Sequence, residues 1–365
     1  MRIPERYPVN GTFELTVRCN LRCRMCLFRH DSSEDEAIKA RELTAGQWID
    51  LAGQVAECGT VKLLITGGEP MLRPDFCEIW EGIYRQGFLL ELYTNGTLVT
   101  PKIMETLRRY PPHKIGVTLY GTSEETYEKV CGNGAMFHRA LAGFHELVTL
   151  PSKLEFRTTI IKDNRRDFEE MHELIRREFG EQYRLIHTRL VTQSVRGACA
   201  DVKACRLEPE ENVALSFARS IQLIRDYVGE ENFDPSLVGY EKKDCCTDNC
   251  MSPKASLFGC EAGMSQYTIS WDGKLLGCQM LDLFHTNPME SGFAEAWEAY
   301  PMTVRLPEPD PDCLSCRNQD LCNCCAASRY AETGSLSGKP AYVCQDVAAM
   351  ARTLRRTQAR RPRHS

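Results

Sequence analysis

The sequence predicts an α/β protein built on a parallel sheet, followed by a smaller cysteine-rich domain. Two observations support this fold class. Apolar, β-rich segments alternate with amphipathic helical segments through the first part of the chain, the order typical of parallel strands joined by right-handed crossovers. Eleven of the 19 cysteines then lie between Cys245 and Cys344, in sequence that is irregular and rich in turns.

The elements follow one another in regular alternation. Six segments have the apolar and β-branched composition of strands; they are 12–18, 61–66, 89–94, 114–120, 154–161 and 184–190. Amphipathic patterns predict helices near 44–57, 74–86, 100–109, 123–130, 135–148, 165–178 and 208–228. In parallel α/β folds the chemistry takes place at the carboxyl ends of the strands, so motifs at those ends are the candidate site.

Composition restricts the function classes. A length of 365 residues suggests two domains, and 42% apolar with 26% charged residues is ordinary globular composition. A net charge of −5 gives no electrostatic case for nucleic-acid binding. No apolar run is long enough to span a membrane and the N-terminus lacks a secretory signal, so we expect a cytoplasmic protein. Because that compartment disfavours disulfides, 19 cysteines indicate metal ligation or reactive chemistry.

A first cysteine cluster follows the first predicted strand, with the spacing Cys19-x3-Cys23-x2-Cys26. Three thiolates on one short loop can hold three corners of a cubane iron–sulfur cluster and leave its fourth iron open. An open coordination position is what a catalytic metal site needs. A zinc knuckle with His30 as fourth ligand, or a chance triplet, are the alternative interpretations.

A glycine pair ends the second predicted strand, in the segment Gly67-Gly68-Glu69-Pro70. Paired glycines let the backbone approach a ligand closely, and the acidic residue and proline fix the turn. Alone the segment indicates little. Placed at a strand end, after the three-cysteine loop, it is a strong signal.

With both motifs, the sequence resembles the radical S-adenosylmethionine (SAM) superfamily, over most of the chain. The resemblance implies a partial (β/α)6 TIM-like barrel with a [4Fe–4S] cluster on the three cysteines and Met25 within the motif. It also implies that the methionine part of SAM chelates the fourth iron and that the segment containing Glu69 contacts the SAM amino group. Further implied SAM contacts are Pro70, Thr94, Asn95, Thr118 and Arg139, the last of which could equally be a solvated helix arginine.

The implied reaction is reductive cleavage of SAM to a 5′-deoxyadenosyl radical, which abstracts a hydrogen atom from the substrate. The protein contributes binding, orientation and the exclusion of water and oxygen. An electron donor such as flavodoxin or ferredoxin is an expected partner.

The C-terminal cysteines form a second pattern. Cys260 and Cys278 flank a predicted hairpin with Asp272-Gly273 in its turn; the others are Cys313, Cys316, Cys322, Cys324, Cys325 and Cys344. The pattern resembles the SPASM extension of radical SAM proteins, which holds two auxiliary [4Fe–4S] clusters and would bring the total to three. Four-cysteine zinc sites are the alternative.

The SPASM resemblance implies two ligand sets. The first auxiliary cluster would be held by Cys250, Cys260, Cys278 and Cys325. The second would be held by Cys313, Cys316, Cys322 and Cys344. Two points stay open: Ala326 stands where the pattern expects a cysteine, so Cys324 competes with Cys325, and Cys245 and Cys246 compete with Cys250. An open iron for substrate coordination is a further alternative.

The remaining cysteines carry weaker signals. Cys58, Cys77 and Cys131 lie in helical or loop contexts that favour buried, small apolar residues. Cys199 and Cys205 follow the sixth predicted strand and either approach the mouth of the active site or have no functional role.

The predicted organisation is a radical SAM region at 1–230, a SPASM domain at 231–350 and a basic tail at 351–365. SPASM proteins largely modify peptides, so the resemblance favours maturation of a ribosomally synthesised peptide by a thioether or carbon–carbon crosslink. The first strand begins near residue 12, so we expect no leader-binding module before it and expect a leader peptide to be recognised either by the barrel itself or by a separate leader-binding protein. No membrane or nucleic-acid partner is expected.

The alternatives are sulfatase-maturing (formylglycine-forming) chemistry, small-molecule dehydrogenation and a non-catalytic iron–sulfur electron carrier or redox sensor. Sulfatase-maturing enzymes carry an aspartate base directly after the second SPASM cysteine. Here Gln279 occupies that place, and an amide cannot accept a proton at neutral pH. Asp282 lies three residues further on and is a weak substitute.

Overall fold

One nine-stranded sheet organises the protein. The computed structural model describes residues 6–188, 190–193, 196–229, 233, 258, 260–301 and 308–359. The strands are β1 (Asn10–Glu14), β2 (Lys62–Thr66), β3 (Leu89–Thr94), β4 (Lys114–Thr118), β5 (Lys153–Thr159), β6 (Leu185–Thr188), β7 (Gln266–Ile269), β8 (Leu275–Cys278) and β9 (Leu281–Thr286). Their order in the sheet is β6-β5-β4-β3-β2-β1-β7-β8-β9. The first six strands pair in parallel and the sheet does not close, which confirms the predicted fold class.

Helices connect the parallel strands as predicted. In chain order they are α1 (Asp35–Lys39), α2 (Ala45–Glu57), α3 (Phe76–Tyr84), α4 (Pro101–Arg109), α5 (Glu124–Cys131), α6 (Met136–Leu147), α7 (Phe168–Phe179), α8 (Val202–Cys205), α9 (Pro209–Val228), α10 (Pro288–Ser291), α11 (Phe293–Ala299), α12 (Pro311–Leu314), α13 (Ala326–Thr333) and α14 (Ala341–Ala359). Side-chain caps start several of them; Thr44, for example, caps α2 through a hydroxyl that accepts from Gln47 N. Among the described helices, none is both long and apolar enough to cross a membrane.

The first strand is shorter than the sequence predicts. β1 ends at Glu14, whereas the prediction continued it to residue 18. Beyond β1 the chain stays close to the loop that follows β2: Leu15 N donates to Thr66 O at 2.9 Å, and Gly68 N donates to Thr16 O at 2.6 Å. These bonds join a strand extension to a loop, so the pairing is irregular even though the residue types favour a strand.

The two faces of the sheet differ in polarity. Alternate residues of the parallel strands are buried and apolar, and they pack against the helices; Phe13 lies 4.9 Å from the Trp48 ring of α2, and Phe156 lies 5.8 Å from the Phe144 ring of α6. The residues between them point to the other face and include charged side chains such as Glu14 and Glu91. Because side chains alternate along a strand, one face forms the core and the other is a polar inner surface.

The predicted hairpin is present and extends the same sheet. β7 and β8 are antiparallel, and Gly273 occupies the turn with φ +88°, a conformation that favours glycine. β7 also pairs in parallel with β1, with Asn10 opposite Gln266. The hairpin, expected in the cysteine-rich domain, therefore contributes strands to the sheet that begins with β1.

The described residues group into two compact units. One contains those of Met1–Arg206 and Cys260–Thr303, and the other those of Leu207–Gly259 and Val304–Ser365. In the second unit α9 packs on α14, and Asn212 Nδ2 donates to Asp346 Oδ1 at 2.9 Å where both side chains are buried. The functional division at residues 230 and 350 stays a prediction.

Candidate active site

The three-cysteine loop follows the extension of β1, at the carboxyl end of the sheet. Two of its sulfurs accept hydrogen bonds from the backbone: Leu21 N donates to Cys19 Sγ at 3.4 Å, and Phe28 N donates to Cys26 Sγ at 3.3 Å. Backbone N–H donors to cysteine sulfur stabilise negative charge there and are among the features that tune iron–sulfur clusters. The loop is therefore shaped to present sulfur ligands.

The end of α5 holds this loop in place. Arg22 N donates to Cys131 O at 2.8 Å, and Arg24 N donates to Val130 O at 2.9 Å. The Arg24 guanidinium also pairs with Asp163 at 2.6 Å. The loop thus gains a strand-like contact with a distant helix end.

The three thiols share one buried site. The Cys131 thiol and burial raise the pKa of Cys23, burial raises the pKa of Cys19, and burial raises that of Cys26 to about 12. The thiols lie within electrostatic range of one another, so iron at the site would favour their thiolate forms. In the described residues, no three Cys, His, Asp or Glu side chains are grouped around a single ion position, whereas a cubane places each cysteine on a different iron.

The glycine pair lies against the extension of β1. Glu69 N donates to Arg18 O at 3.0 Å. A Cβ at Gly67, where φ is +140°, would lie 2.1 Å from Thr16 O, and a Cβ at Gly68 would lie 2.3 Å from Arg18 O. The close approach that these glycines permit is therefore to neighbouring backbone, and it fixes the position of Glu69 relative to the cysteine loop.

Glu69 is fully buried and its carboxylate is surrounded by donors. It accepts from Thr94 Oγ1 at 2.9 Å, from Asn95 N at 2.8 Å and from Met71 N at 3.1 Å. Burial raises its pKa to about 7, although these hydrogen bonds act in the opposite direction. A buried carboxylate at a strand end, held ready by neutral donors, suits a cationic ligand such as an ammonium group.

Asn95 joins the two motifs. Its backbone N–H binds Glu69, while its side-chain Nδ2 lies 3.0 Å from Asn20 Oδ1 and 3.7 Å from Cys19 Sγ. The ends of β2 and β3 and the cysteine loop thus meet at one residue. Thr94 and Asn95, predicted as SAM contacts, are seen here to organise Glu69 and Cys19.

A buried ionic network behind the loop was not anticipated. Glu42 accepts from Arg18 Nε at 2.8 Å and from the Thr16 hydroxyl, and Arg73 Nη1 lies 3.6 Å from Glu42 Oε2. Arg73 also donates to Leu15 O at 3.0 Å, so one guanidinium supports the extension of β1. No spacing pattern in the sequence connects these residues, because tertiary folding alone brings them together.

The other predicted SAM residues are more dispersed. Met25 and Pro70 are buried, and Thr118 ends β4. Arg139 is exposed on α6, and His30, the zinc alternative, places Nδ1 2.5 Å from Phe28 O.

A second ionic pair lies on the polar face, above β1. Glu14 is fully buried, and its oxygens accept from Arg196 at 2.8 and 2.7 Å. Arg196 also donates to Gln279 O at 2.9 Å and lies 5.2 Å from the Phe28 ring. Burial raises the pKa of Glu14, and the guanidinium opposes that shift. This arginine connects β1, the cysteine loop and the end of β8.

The predicted base positions differ in exposure. Gln279 is exposed and Asp282 is half-buried, with its backbone oxygen 3.0 Å from His285 Nδ1. Cys199 is exposed and its N–H donates to Arg29 O, while Cys205 is buried.

The proposed second auxiliary set lies within one unit of the structure. Cys344 has Cys313, Cys316 and Cys322 as its electrostatic neighbours, so the four thiols occupy one region. An arginine donor reaches the sulfur of Cys313. Four thiols in one region, with a cation on one sulfur, fit an anionic iron–sulfur cluster.

The proposed first auxiliary set is only partly described. Cys260 is exposed and Cys278 half-buried in the first unit, where Met280 N donates to Cys278 Sγ at 3.4 Å. Cys325 belongs to the second unit. Cys245, Cys246 and Cys250 lie outside the described residues.

The Radical SAM superfamily profile matches residues 13–175, which contain both motifs. The chain therefore carries a radical SAM domain and is an enzyme. Its fold is shared with solved SPASM-type radical SAM structures. The domain match supports SAM and a [4Fe–4S] cluster as cofactors.

The relatives found by comparison with known proteins include heme synthases, peptide cyclases and the Fe-coproporphyrin III synthase of Methanosarcina barkeri, the last 31% identical over 46% of this chain and 40% of that protein. The chain is 28% identical over 346 residues to the AdoMet-dependent heme synthase of Methanosarcina barkeri, covering 90% of this chain and 94% of that protein. It is 25% identical over 325 residues to the PqqA peptide cyclase of Gluconobacter oxydans, covering 86% and 84%. The solved structure of native anSMEcpe with bound AdoMet and Kp18Cys peptide has a TM-score of 0.68 at 15% identity, over 96% of this chain and 98% of that one, which shows a shared fold.

Proposed function

We propose that this enzyme reductively cleaves SAM and abstracts a hydrogen atom from a peptide substrate, as a maturase of ribosomally synthesised peptides that forms a thioether or carbon–carbon crosslink. The observation that carries the radical chemistry is the position of Asn95, which binds Glu69 through its backbone and approaches Cys19 through its side chain. This contact brings Cys19, a proposed cluster ligand, and the carboxylate of Glu69, the proposed ammonium acceptor, to the same strand ends.

The protein's own residues have distinct roles in this proposal. Cys19, Cys23 and Cys26 would hold three irons of a [4Fe–4S] cluster, which together with SAM supplies the electron and the carbon-centred radical. Ionised Glu69 would bind the SAM ammonium and so orient the sulfonium beside the loop. Thr94 and Asn95 keep that carboxylate in position, because their donors occupy both of its oxygens.

A peptide substrate is supported by relatives and by the sheet itself. One relative, matched over 86% of this chain, is named a peptide cyclase, and one structure of the same fold contains a bound peptide. The polar inner face offers hydrogen-bonding groups for an extended chain, among them Tyr93 OH, which accepts from Arg157 at 2.7 Å. An amide at Gln279 disfavours the sulfatase-maturing alternative, because that chemistry needs a base there.

A tetrapyrrole bearing carboxylates is the second candidate substrate, and one observation favours it. The relative with 28% identity over nearly the whole chain is named a heme synthase.

One experiment tests the radical chemistry first and the identity of the substrate second. Anaerobically reconstituted enzyme is incubated with dithionite and SAM, and 5′-deoxyadenosine is measured by mass spectrometry. We expect its formation without substrate, and failure with clusters confirmed would overturn the radical SAM mechanism. A precursor peptide encoded beside the gene and Fe-coproporphyrin III are then added in parallel. The peptide should lose hydrogen mass; conversion of the tetrapyrrole alone would establish the second candidate instead.

A further inference from the structure

One arginine in the second unit binds a cysteine sulfur directly. Arg329 lies in α13, and its Nη1 donates to Cys313 Sγ at 3.3 Å and to Gly338 O at 3.1 Å. Arg329 N donates to Cys325 O at 3.0 Å, so the first turn of the helix fixes its backbone. The guanidinium is therefore held at a defined place between two neighbouring turns.

Those two turns are themselves connected. Cys313 N donates to Asp310 O at 2.8 Å, and Asp310 N donates to Ser337 O at 3.1 Å. Backbone hydrogen bonds thus join the segment that carries the sulfur to the segment that carries Gly338. Because both acceptors of Arg329 Nη1 are fixed relative to each other, the hydrogen bond to sulfur belongs to the folded geometry.

The partners of Arg329 distinguish it from other cations of the same unit. Lys339 pairs with Asp312 at 2.8 Å, and Arg352 pairs with Glu210 at 2.7 Å. Within the described residues, Arg329 has no carboxylate partner; its charged surroundings are the thiols of Cys313, Cys322 and Cys324. A half-buried guanidinium placed among thiols, with no acid to neutralise it, is suited to an anionic group assembled on those thiols.

The charge of Arg329 determines the direction in which it would shift the reduction potential of a neighbouring cluster. A cubane held by four thiolates is an anion, and reduction adds one more negative charge. A hydrogen bond and a positive charge at one sulfur stabilise the reduced state more than the oxidised state, which raises the reduction potential. Lysine in place of arginine would keep the charge but replace the planar guanidinium with a compact ammonium on a flexible stem, so the hydrogen bond to sulfur would be held less firmly.

We propose that Arg329 is a positioning residue that raises the reduction potential of an iron–sulfur cluster held by Cys313, Cys316, Cys322 and Cys344. The inference rests on the auxiliary-cluster part of the proposed function.

The test is a redox titration followed by electron paramagnetic resonance on full-length, anaerobically reconstituted protein. To simplify the spectra, all variants carry alanine at Cys19, Cys23 and Cys26, which leaves only the auxiliary clusters. Arg329→Met and Arg329→Lys are compared with Arg352→Met, a matched loss of one arginine charge in the same unit. We expect one transition to move to a more negative potential in Arg329→Met, to move less in Arg329→Lys, and to stay unchanged in Arg352→Met.

The possible results of this titration lead to different conclusions. Unchanged transitions in Arg329→Met with full iron content would overturn the proposal. Loss of cluster iron in both Arg329 variants would overturn it as well, because the arginine would then be needed for assembly. If the background protein bound no iron at all, the auxiliary-cluster assignment would fail, whereas SAM cleavage by the unmodified enzyme would still test the proposed radical chemistry independently.

Discussion

The two cysteine regions of the molecule are held in different ways. The N-terminal loop lies at the end of a parallel sheet, and long-range backbone bonds from Arg22 and Arg24 to the end of α5 support it. Around the C-terminal cysteines the described backbone bonds are largely local; Cys316 N donates to Cys313 O and Cys322 N donates to Gln319 O, each spanning three residues. The comparison teaches that the fold forms the first site, whereas the second would depend more on the metal that we propose its cysteines bind.

The largest expected effect comes from removing one cysteine of the N-terminal loop. Cys23→Ala should remove about four irons per chain and bring 5′-deoxyadenosine formation below detection, because a cubane on two ligands is not retained. Iron analysis and the SAM cleavage assay measure both. The matched control is Cys77→Ala, a half-buried thiol on α3. Equal loss in the control, or undiminished cleavage in Cys23→Ala, would contradict the assignment.

Removal of iron should affect the two cysteine regions differently. In apoprotein we expect backbone amides of β1 and β2 to keep their protection from hydrogen exchange, since apolar packing and ladder bonds hold them. Amides of 310–325 should lose much of theirs, because metal ligation contributes folding free energy in such regions. Hydrogen exchange with mass spectrometry compares apoprotein with reconstituted protein. Equal protection of both regions in the apoprotein would contradict the expected difference between them.

Substitution of Glu69 tests how much its charge contributes to SAM affinity. Glu69→Gln removes the charge but keeps the shape, and we expect SAM affinity to fall by about 10- to 100-fold, the value of a charge-assisted hydrogen bond. Isothermal titration of reconstituted protein measures the dissociation constant. Asp50→Asn, an exposed carboxylate on α2, serves as the control and should leave affinity unchanged.

The same carboxylate should make SAM binding dependent on pH. Because burial raises the pKa of Glu69 to about 7, the ligand-binding ionised form predominates above that value. Affinity should therefore be about tenfold lower at pH 6 than at pH 8, and Glu69→Gln should lack this component. In the absence of SAM, the free energy of unfolding should have the opposite pH dependence. Folding favours the protonated form of Glu69, so the stabilisation from this residue declines as pH rises from about 4.5 to about 7. A flat affinity profile would exclude the raised pKa.

The smallest expected effect concerns backbone geometry. Gly67→Ala places a Cβ against Thr16 O at a positive φ, so we expect a loss of about 1–3 kcal/mol in the free energy of unfolding. Gly46→Ala, in α2 with nothing near its Cβ, should instead be neutral or stabilising by up to about 1 kcal/mol. Chemical denaturation compares them. Equal effects would show that the close approach of Gly67 to Thr16 O does not require glycine.

Much of the architecture could be predicted from local sequence. All six parallel strands and their helices are found, because apolar alternation and capping residues act within a few positions. The end of β1 was wrong, since residues 15–18 have strand composition but pair with a loop. The addition of β7 to β1 could not be predicted, because a parallel pairing between Asn10 and Gln266 leaves no local signal.

The site was predictable in its motifs and less so in its contacts. Spacing identified the three cysteines and Glu69, since each motif is contiguous. The Glu42 and Arg73 network and the position of Cys131 beside Cys23 depend on segments distant in the chain. Glycine pairing indicated a close approach, but only the structure identified the partner as the backbone of Thr16 and Arg18.

The sequence by itself determined the class of chemistry, because thiolate spacing and a glycine-acid turn are properties of short peptides. Tertiary structure decided how these peptides act together: parallel pairing carries the ends of β2 and β3 to the cysteine loop, where Asn95 connects Glu69 with Cys19. The physical reason is that covalent spacing fixes geometry within a loop, whereas burial and hydrogen bonding between loops exist only after the sheet has formed.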